Sequence, residues 1–231
     1  ARQTVQNLLV SPTYPVGTGN KYDIRQHHSK RVLSENESAR LQSRIKSNGL
    51  SLIDTLVAAT HYAIDDWNLQ RNVKPGFLTS SVSVSMRGRF RGLDQENSSS
   101  LIFFESSPEN RSDSTKFLKS LTMERIRHFR KQQDLKLAKN IKGMVDVVRI
   151  FPYKLRKKLI SFITNQHNFS AAVTFLGVMW PKIENGKLTA DSALTQLGDL
   201  QVQEIIGIPY KMLSRTKTLL IVYIFRNRLN F

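Results

Sequence analysis

Two adjacent histidines, His27 and His28, are the residues in this sequence that most suggest catalysis. A histidine near its ordinary pKa can take a proton from an attacking hydroxyl or amine, as a general base does. The surrounding stretch, residues 21–33, has the composition of an extended strand. Neighbouring side chains of a strand point to opposite faces, so the two rings could not readily act together. We therefore interpret both histidines as structural residues.

The other residues that could do chemistry lack the spacing that a reaction needs. His61, His128 and His167 have no metal-ligand spacing with another histidine or a carboxylate. Asp65 and Asp66 are adjacent on a predicted helix, diverge by about 100° and cannot share a proton. The chain contains no cysteine, which excludes a thiol nucleophile. The sequence therefore predicts no catalytic residue and no metal site; we interpret His61 as a packed side chain and the aspartates as surface or structural.

The positive net charge of the chain favours anionic partners. Lys and Arg number 35 against 18 Asp and Glu, a net charge of +17, and the basic residues are densest from Lys116 to Lys158. Such an excess attracts anionic partners, for example nucleic acid, an anionic membrane, an acidic carrier domain or a phosphorylated cofactor. The lack of cysteines and of a visible signal peptide favours a cytoplasmic location.

Two helices are predicted ahead of the first strand. Ser34 and Glu37 form a capping box that begins a helix, which ends near Gly49, and Ser51 begins the next helix. One face of this second helix is predicted to be buried, because its residues recur at helical spacing. The residues of that face are Ile53, Leu56, Val57, Thr60, Ile64 and Trp67. The Thr60 hydroxyl can donate to the carbonyl four residues back, so it need not interrupt the face.

Strict alternation over residues 80–90 predicts a strand with two different faces. One face carries valines and a methionine and would meet a core. The opposite face carries three serines, which are Ser81, Ser83 and Ser85. Small hydroxyl side chains of this kind suit a solvated face or the wall of a channel.

Further strands are predicted at residues 100–105, 169–177 and 217–231. Helices lie among these strands without a regular β-α-β alternation. This order favours an α+β fold with a mixed, mainly antiparallel sheet and helices packed on it. Residues 1–20 are predicted to be an irregular lead-in, and residues 21–231 a single subdomain.

Two basic stretches each leave two interpretations open. Residues 87–92, RGRFRG, are either an RNA-binding tag or a structural pair, Arg87 and Arg89, at the end of a strand. Residues 152–163 form a predicted amphipathic basic helix, which either lies on an anionic membrane or covers a sheet.

The order of these elements, together with three short motifs, resembles the C-terminal half of the chloramphenicol-acetyltransferase-like superfamily. That superfamily includes nonribosomal-peptide condensation domains, wax-ester synthases and alcohol acetyltransferases. Residues 49–60, GLSLIDTLVAAT, are similar to the family helix G-v-T-v-n-d-l-l-l-A-A. Ser85–Arg89 is similar to the family strand v-N-l-R-x-R, with Ser in place of Asn, and Thr174–Gly177 is similar to T-N-x-G, with Phe175 in place of Asn.

The resemblance implies acyl transfer from a thioester to a hydroxyl or an amine. The thioester would be carried by coenzyme A or by the phosphopantetheine arm of an acidic carrier protein, as substrate and not as a covalently bound cofactor. The family base is the second histidine of His-His-x-x-x-Asp-Gly, in the N-terminal half. Counted from His27 and His28, the Asp and Gly positions hold Val32 and Leu33, so this stretch lacks the motif. The base would accordingly come from an N-terminal half of the same protein.

The resemblance also implies a role for the polar strand residues, because the two family halves meet across a tunnel that admits the pantetheine arm. The residues that would line this tunnel are Ser81, Ser83, Ser85 and Thr174. For Thr174, a strand-end hydroxyl bonded to backbone is an equally open interpretation.

A rival hypothesis makes the chain a non-catalytic basic module that binds nucleic acid or an anionic membrane. Nucleic acid is disfavoured, because aromatic residues are not interleaved with the basic ones as a stacking platform needs. Peripheral membrane contact stays open under either hypothesis. Both ends of the sequence look like cut edges, and we expect a fragment of a larger polypeptide.

Overall fold

A computed structural model describes residues 29–85, 99–131, 150–158, 169–179, 181–184, 187–193, 196–197, 200–202 and 218–231. Several of the predictions above fall outside these ranges. They concern the lead-in over residues 1–20, His27 and His28, and the arginine pair Arg87 and Arg89.

The first helix, α1, spans Glu35–Ser47 and begins as its sequence predicts. The Ser34 hydroxyl accepts a hydrogen bond from the Glu37 amide at 3.2 Å, and the Glu37 carboxylate accepts one from the Ser34 amide at 2.9 Å. The capping box is therefore confirmed. Past the end of the helix, Gly49 takes a φ of 67°, a left-handed conformation that glycine adopts without a steric penalty.

The second helix, α2, spans Leu52–Leu69 and is capped by Ser51, as predicted. Four members of its predicted buried face are indeed buried, and they are Leu56, Val57, Thr60 and Ile64. The Thr60 hydroxyl donates to the Leu56 carbonyl at 2.8 Å. The prediction is wrong for Trp67, which is 40% exposed and has the Arg71 guanidinium 3.4 Å from its ring centroid, and Ile53 is only half-buried.

The predicted α+β fold with a mixed sheet is confirmed. The strands of the described ranges are β1 (Leu78–Ser85), β2 (Ser99–Ser106), β3 (Ala171–Val178), β4 (Pro181–Glu184), β5 (Lys187–Ala193), β6 (Gln196–Leu197), β7 (Leu200–Gln201), β8 (Leu219–Phe225) and β9 (Arg228–Asn230). Five of them form one sheet in the order β2-β1-β3-β8-β9. The β1–β2 and β8–β9 pairs are antiparallel, and the two central pairs are parallel. Two antiparallel hairpins, β4–β5 and β6–β7, stand apart from this sheet.

The core lies between one face of this sheet and the helices. A short helix, α3 (Pro108–Arg111), leads into the long basic helix α4 (Ser114–Arg130). Helices α2 and α4 contribute buried side chains that pack with those of the strands. The fully buried large residues of this core are Val57, Ile102, Phe104, Phe117, Leu121, Val173, Val222 and Leu229.

The end of the chain, predicted as one extended stretch over residues 217–231, is instead a hairpin. Arg226 and Asn227 both take positive φ, 50° and 57°, and reverse the chain between β8 and β9. Two consecutive left-handed residues give a turn whose twist matches that of the flanking strands. Strand β9 then meets the start of the described chain, because the Leu33 amide donates to the Leu229 carbonyl at 2.9 Å and the buried Ser38 hydroxyl accepts from the Leu229 amide at 2.9 Å.

Residues 153–158 form a helical stretch, part of the predicted basic helix. Its side chains are exposed except for Arg156, so this described part does not cover the sheet. Among the helices in the described ranges, none is long and apolar enough to cross a lipid bilayer.

Candidate functional site

Ser81, Ser83 and Thr174 lie on the sheet face that points away from α2 and α4. Val82 of β1 pairs with Val173 of β3, and both side chains belong to the helix-covered core. Side chains alternate along a strand, so the residues on either side of these valines point to the other face. We call this other surface, defined by Ser81, Ser83 and Thr174, the polar face. The structure therefore brings together residues that the sequence places far apart.

The ladder between β1 and β3 ends beside the polar face. The two parallel strands pair over Ser80–Val82 and Ala171–Val173, although β1 continues to Ser85 and β3 to Val178. Ser83 and Thr174 are the next residues on their strands after the last pair. Past the last pair, the small hydroxyls of Ser83 and Thr174 lie on neighbouring strands.

The members of the polar face differ in how open they are. Ser81 is buried, because it pairs with Phe103 on one side and with Ala172 on the other. Phe103 stacks on Phe169 with ring centroids 5.2 Å apart. Ser83 is exposed and Thr174 is half-buried. Ser81 is therefore a buried residue near an aromatic pair, and Ser83 is accessible to a ligand.

The side chains of three predicted residues lie outside the part of the chain that the structure describes. Ser85 belongs to β1 and pairs with Ser99, but its side chain lies outside the described part. Arg87 and Arg89 lie outside it altogether. Their assignment to the tunnel or to strand-end structure stays a prediction.

The hydroxyls of Ser81, Ser83 and Thr174 can form hydrogen bonds but are not groups that move a proton near neutral pH. Serine and threonine hydroxyls donate and accept, and their ordinary pKa values are far too high for ionisation near neutral pH. Within the described ranges, no cluster of three or more His, Cys, Asp or Glu residues could hold a metal ion. Binding and orientation of a polar chain are the functions that this surface supports.

A buried polar network, which the sequence did not predict, lies on the helix side of the same strands. His61 of α2 is fully buried, and its Nδ1 lies 2.7 Å from the Ser106 hydroxyl and its Nε2 lies 2.8 Å from the Ser80 hydroxyl. The network thus joins α2 to both β1 and β2. Burial, and secondly the positive charge of Arg111, lowers the pKa of His61 to about 3.

Arg111 completes this network and carries its charge. The guanidinium donates to Asp65 through Nε at 2.7 Å and through Nη2 at 2.9 Å. It also donates to the Ser106 carbonyl and hydroxyl, both at 2.8 Å, and to the Gly76 carbonyl at 2.7 Å. The Nε, Nη1 and Nη2 atoms of Arg111 therefore all donate to acceptors, and a buried charge requires such hydrogen bonds. His61 is buried, as predicted, but both of its ring nitrogens contact hydroxyls, where the sequence predicted packing alone. Asp65 forms a buried ion pair and Asp66 is exposed.

Helix α4 is attached by a second charged contact and carries one carboxyl with a shifted pKa. The buried Asp54 carboxylate accepts from Arg125 Nε at 2.9 Å and from the Thr122 hydroxyl at 2.9 Å. Burial, and secondly the charge of Glu105, raises the pKa of Glu124 to about 7. Neither group reaches the polar face, because both belong to the helix layer.

The pH dependence of stability should reveal two opposing titrations. Unfolded histidine has a pKa near 6.5 and binds a proton at a higher pH than folded His61 does. As the pH falls from 7 to 5, His61 therefore lowers the free energy of unfolding by about 2 kcal/mol. Glu124 has the opposite sign, because its folded pKa lies above the ordinary 4.5 and the fold binds the proton first. As the pH falls from 7 to 5, the difference in free energy of unfolding between His61→Gln and the wild type should shift in favour of the variant. The difference between Glu124→Gln and the wild type should shift in favour of the wild type. Urea unfolding at both pH values measures this, and parallel pH profiles of the three proteins would contradict it.

Comparison with known proteins bears on the fold. No protein-family model and no curated protein sequence matches this chain. Among solved structures, the cyclization-docking bidomain of the EpoB nonribosomal peptide synthetase from Sorangium cellulosum is similar over 99% of this chain and 41% of its own, with a TM-score of 0.54 and 14% identity. Polyketide synthase associated protein 5 from Mycobacterium tuberculosis is similar over 98% of this chain and 52% of its own, with a TM-score of 0.50 and 13% identity. The chain thus has a condensation-domain-like fold and spans about half the length of these structures.

Proposed function

We propose that this chain is one half of a condensation-type acyl-transfer domain, and that its polar face lines the channel for the thioester donor. The observation that carries the proposal is the convergence of Ser81, Ser83 and Thr174 at the point where the β1–β3 ladder ends. The condensation-domain-like fold supports it. The half in question is the C-terminal one, as the motifs over residues 49–60 and 174–177 imply.

The side chains of the polar face suit an extended arm that carries amide groups. A strand face packed against a second layer is usually apolar, and a face in bulk water usually carries longer charged residues. Hydroxyls can donate to amide carbonyls and accept from amide N–H groups along a pantetheine arm. The stacked pair Phe103 and Phe169 provides an apolar border to the same surface.

In this proposal the chain binds and orients the donor and does not act as the base. Neither nitrogen of His61 reaches substrate, since both already contact serine hydroxyls in the core. The proton acceptor would be a histidine in the N-terminal half of the same protein. The net charge of +17 attracts the phosphates of coenzyme A or an acidic carrier protein.

Ser83→Trp tests the proposal, because Ser83 is the exposed member of the polar face. In the protein as the cell makes it, we expect the affinity for coenzyme A or for an acyl-pantetheine, measured by calorimetry, to fall by about tenfold or more. The melting temperature should stay nearly unchanged, since the new ring occupies open space. Ser83→Ala should retain affinity within about fivefold, because it removes a hydrogen bond without filling the channel.

Ser43→Trp is the matched control, since Ser43 is an exposed serine on α1 and is not part of the polar face. It should bind both probes as the wild type does. Unchanged binding by Ser83→Trp, or equal losses in both tryptophan variants, would exclude the polar face as the channel wall. A wild-type protein that binds neither probe would contradict the proposal as a whole.

A further inference from the structure

Four large apolar side chains are exposed within the six residues 150–155. Ile150 is 82% exposed, Tyr153 73%, Leu155 48% and Phe151 37%. Isolated exposed hydrophobic residues are common on protein surfaces, but a contiguous group marks an interaction site. The other exposed large hydrophobic residues of the described ranges are dispersed along the chain.

Basic residues alternate with these apolar ones, and acidic residues are absent. Residues 149–158 contain five Lys and Arg and no Asp or Glu, and the next acidic residue after Asp146 is Glu184. Lys154, Lys157 and Lys158 are exposed beside Tyr153 and Leu155. The segment therefore combines apolar bulk with a local excess of positive charge.

The backbone of this segment is braced by local bonds. The Arg156 amide donates to the Pro152 carbonyl at 2.9 Å, and its guanidinium donates to the Phe151 carbonyl at 3.2 Å. The turn that carries the exposed side chains is thus held in place before any partner arrives. Preorganisation of this kind lowers the entropic cost of binding.

We propose that residues 150–158 dock the protein onto the surface of an anionic lipid bilayer. Aromatic and aliphatic side chains enter the boundary between headgroups and acyl chains, while lysines bind the anionic headgroups above them. A protein partner fits less well, because the centres of protein interfaces are depleted in lysine. A nucleic acid fits less well, because Ile150 and Leu155 would have no role against phosphates. This inference does not depend on the proposed acyl transfer.

Co-sedimentation with vesicles tests the proposal. The protein should sediment with vesicles of phosphatidylcholine and phosphatidylserine, and much less with phosphatidylcholine alone. The double variant Tyr153→Ser/Leu155→Ser should weaken binding to the anionic vesicles by about tenfold or more. The triple variant Lys154→Gln/Lys157→Gln/Lys158→Gln should weaken it on the order of a hundredfold, at about fivefold per lysine.

Matched controls lie on other helices. Leu69→Ser/Met123→Ser removes two exposed apolar side chains from α2 and α4, and Lys116→Gln/Lys119→Gln/Lys131→Gln removes three exposed lysines at α4. Both controls should bind anionic vesicles within about threefold of the wild type, since distant charges are screened. All the substituted residues are exposed, so melting temperatures should be nearly equal.

Three outcomes would overturn the proposal. The first is a wild-type protein that ignores anionic vesicles, which would leave the segment to a protein partner or to further residues of the same polypeptide. The second is vesicle binding that is unchanged in Tyr153→Ser/Leu155→Ser, together with heparin retention that falls in the triple lysine variant. This result would assign the segment to a polyanion such as nucleic acid. The third is an equal loss in the control lysine variant, which assigns binding to net charge alone.

Discussion

Replacing Asp65 with Asn is expected to lower the free energy of unfolding by about 3–5 kcal/mol, because it leaves a buried guanidinium without its counter-charge. The Arg111 side chain is 2% exposed and is held by two bonds to this carboxylate. It also donates to Ser106 and to the Gly76 carbonyl, so it cannot turn out to solvent without breaking further bonds. Urea unfolding of the variant and the wild type at neutral pH measures the difference.

The neighbouring aspartate provides the control. Asp66 is exposed on the same helix, and Asp66→Asn should change the free energy of unfolding by no more than about 0.5 kcal/mol. The double variant Asp65→Leu/Arg111→Met, which removes both charges, should recover part of the loss, because an apolar pair needs no counter-charge. Equal stabilities of Asp65→Asn and Asp66→Asn would show that the buried pair contributes nothing.

Leu56→Ala should destabilise the fold by about 2–5 kcal/mol, the usual range for emptying a buried leucine site. Leu56 is buried in α2 and belongs to the core cluster with Val57, Phe104 and Phe117. Truncation removes apolar contacts and leaves a cavity that the surrounding helix and sheet only partly fill. The measurement is again urea unfolding at neutral pH.

Leu69→Ala is the matched control for this prediction, since Leu69 is the last residue of the same helix and is 52% exposed. Its loss should stay within about 0.5 kcal/mol. A result in that range for Leu56→Ala itself would falsify the assignment of this helix face to the core.

The features predicted correctly from the sequence are those set by neighbouring residues. The Ser34 and Glu37 capping box and the Ser51 cap need only a spacing of three residues and the geometry of a helix start. The alternation over residues 80–85 likewise places the serines on one face of β1 without any knowledge of the rest of the fold. Local chemistry was sufficient for these elements.

The buried network could not be predicted, because its partners are distant in sequence. His61 contacts Ser106 across 45 residues, and Asp65 pairs with Arg111 across 46. No local pattern distinguishes such a histidine from one that is merely packed. The sequence likewise shows that Thr174 is on a strand but not that this strand is β1's parallel neighbour.

Two wrong predictions had signals in the sequence. Trp67 has Arg71 four residues further on, at the spacing where side chains on one helix meet, and the guanidinium stacks on the exposed ring. In the last segment, Asn227 follows Arg226, and asparagine tolerates a left-handed conformation, so a reversal was a better prediction than a continuous strand.

The contact between Ser38 and Leu229 sets the order in which this protein can complete its fold during synthesis. The two residues are 191 apart in sequence, and the ladder from β1 to β3 is anchored by a bond that spans 91. Pairings of such long range close slowly, since the chain loses much of its freedom before they form. While the ribosome is still translating β8, Ser38 of helix α1 has no Leu229 amide from which to accept a hydrogen bond. The edge of β3 that pairs with β8 is also still open. A nascent chain of this kind exposes apolar surface until β8 and β9 have been made and paired, and the chaperones that protect such surface should bind it most before that point.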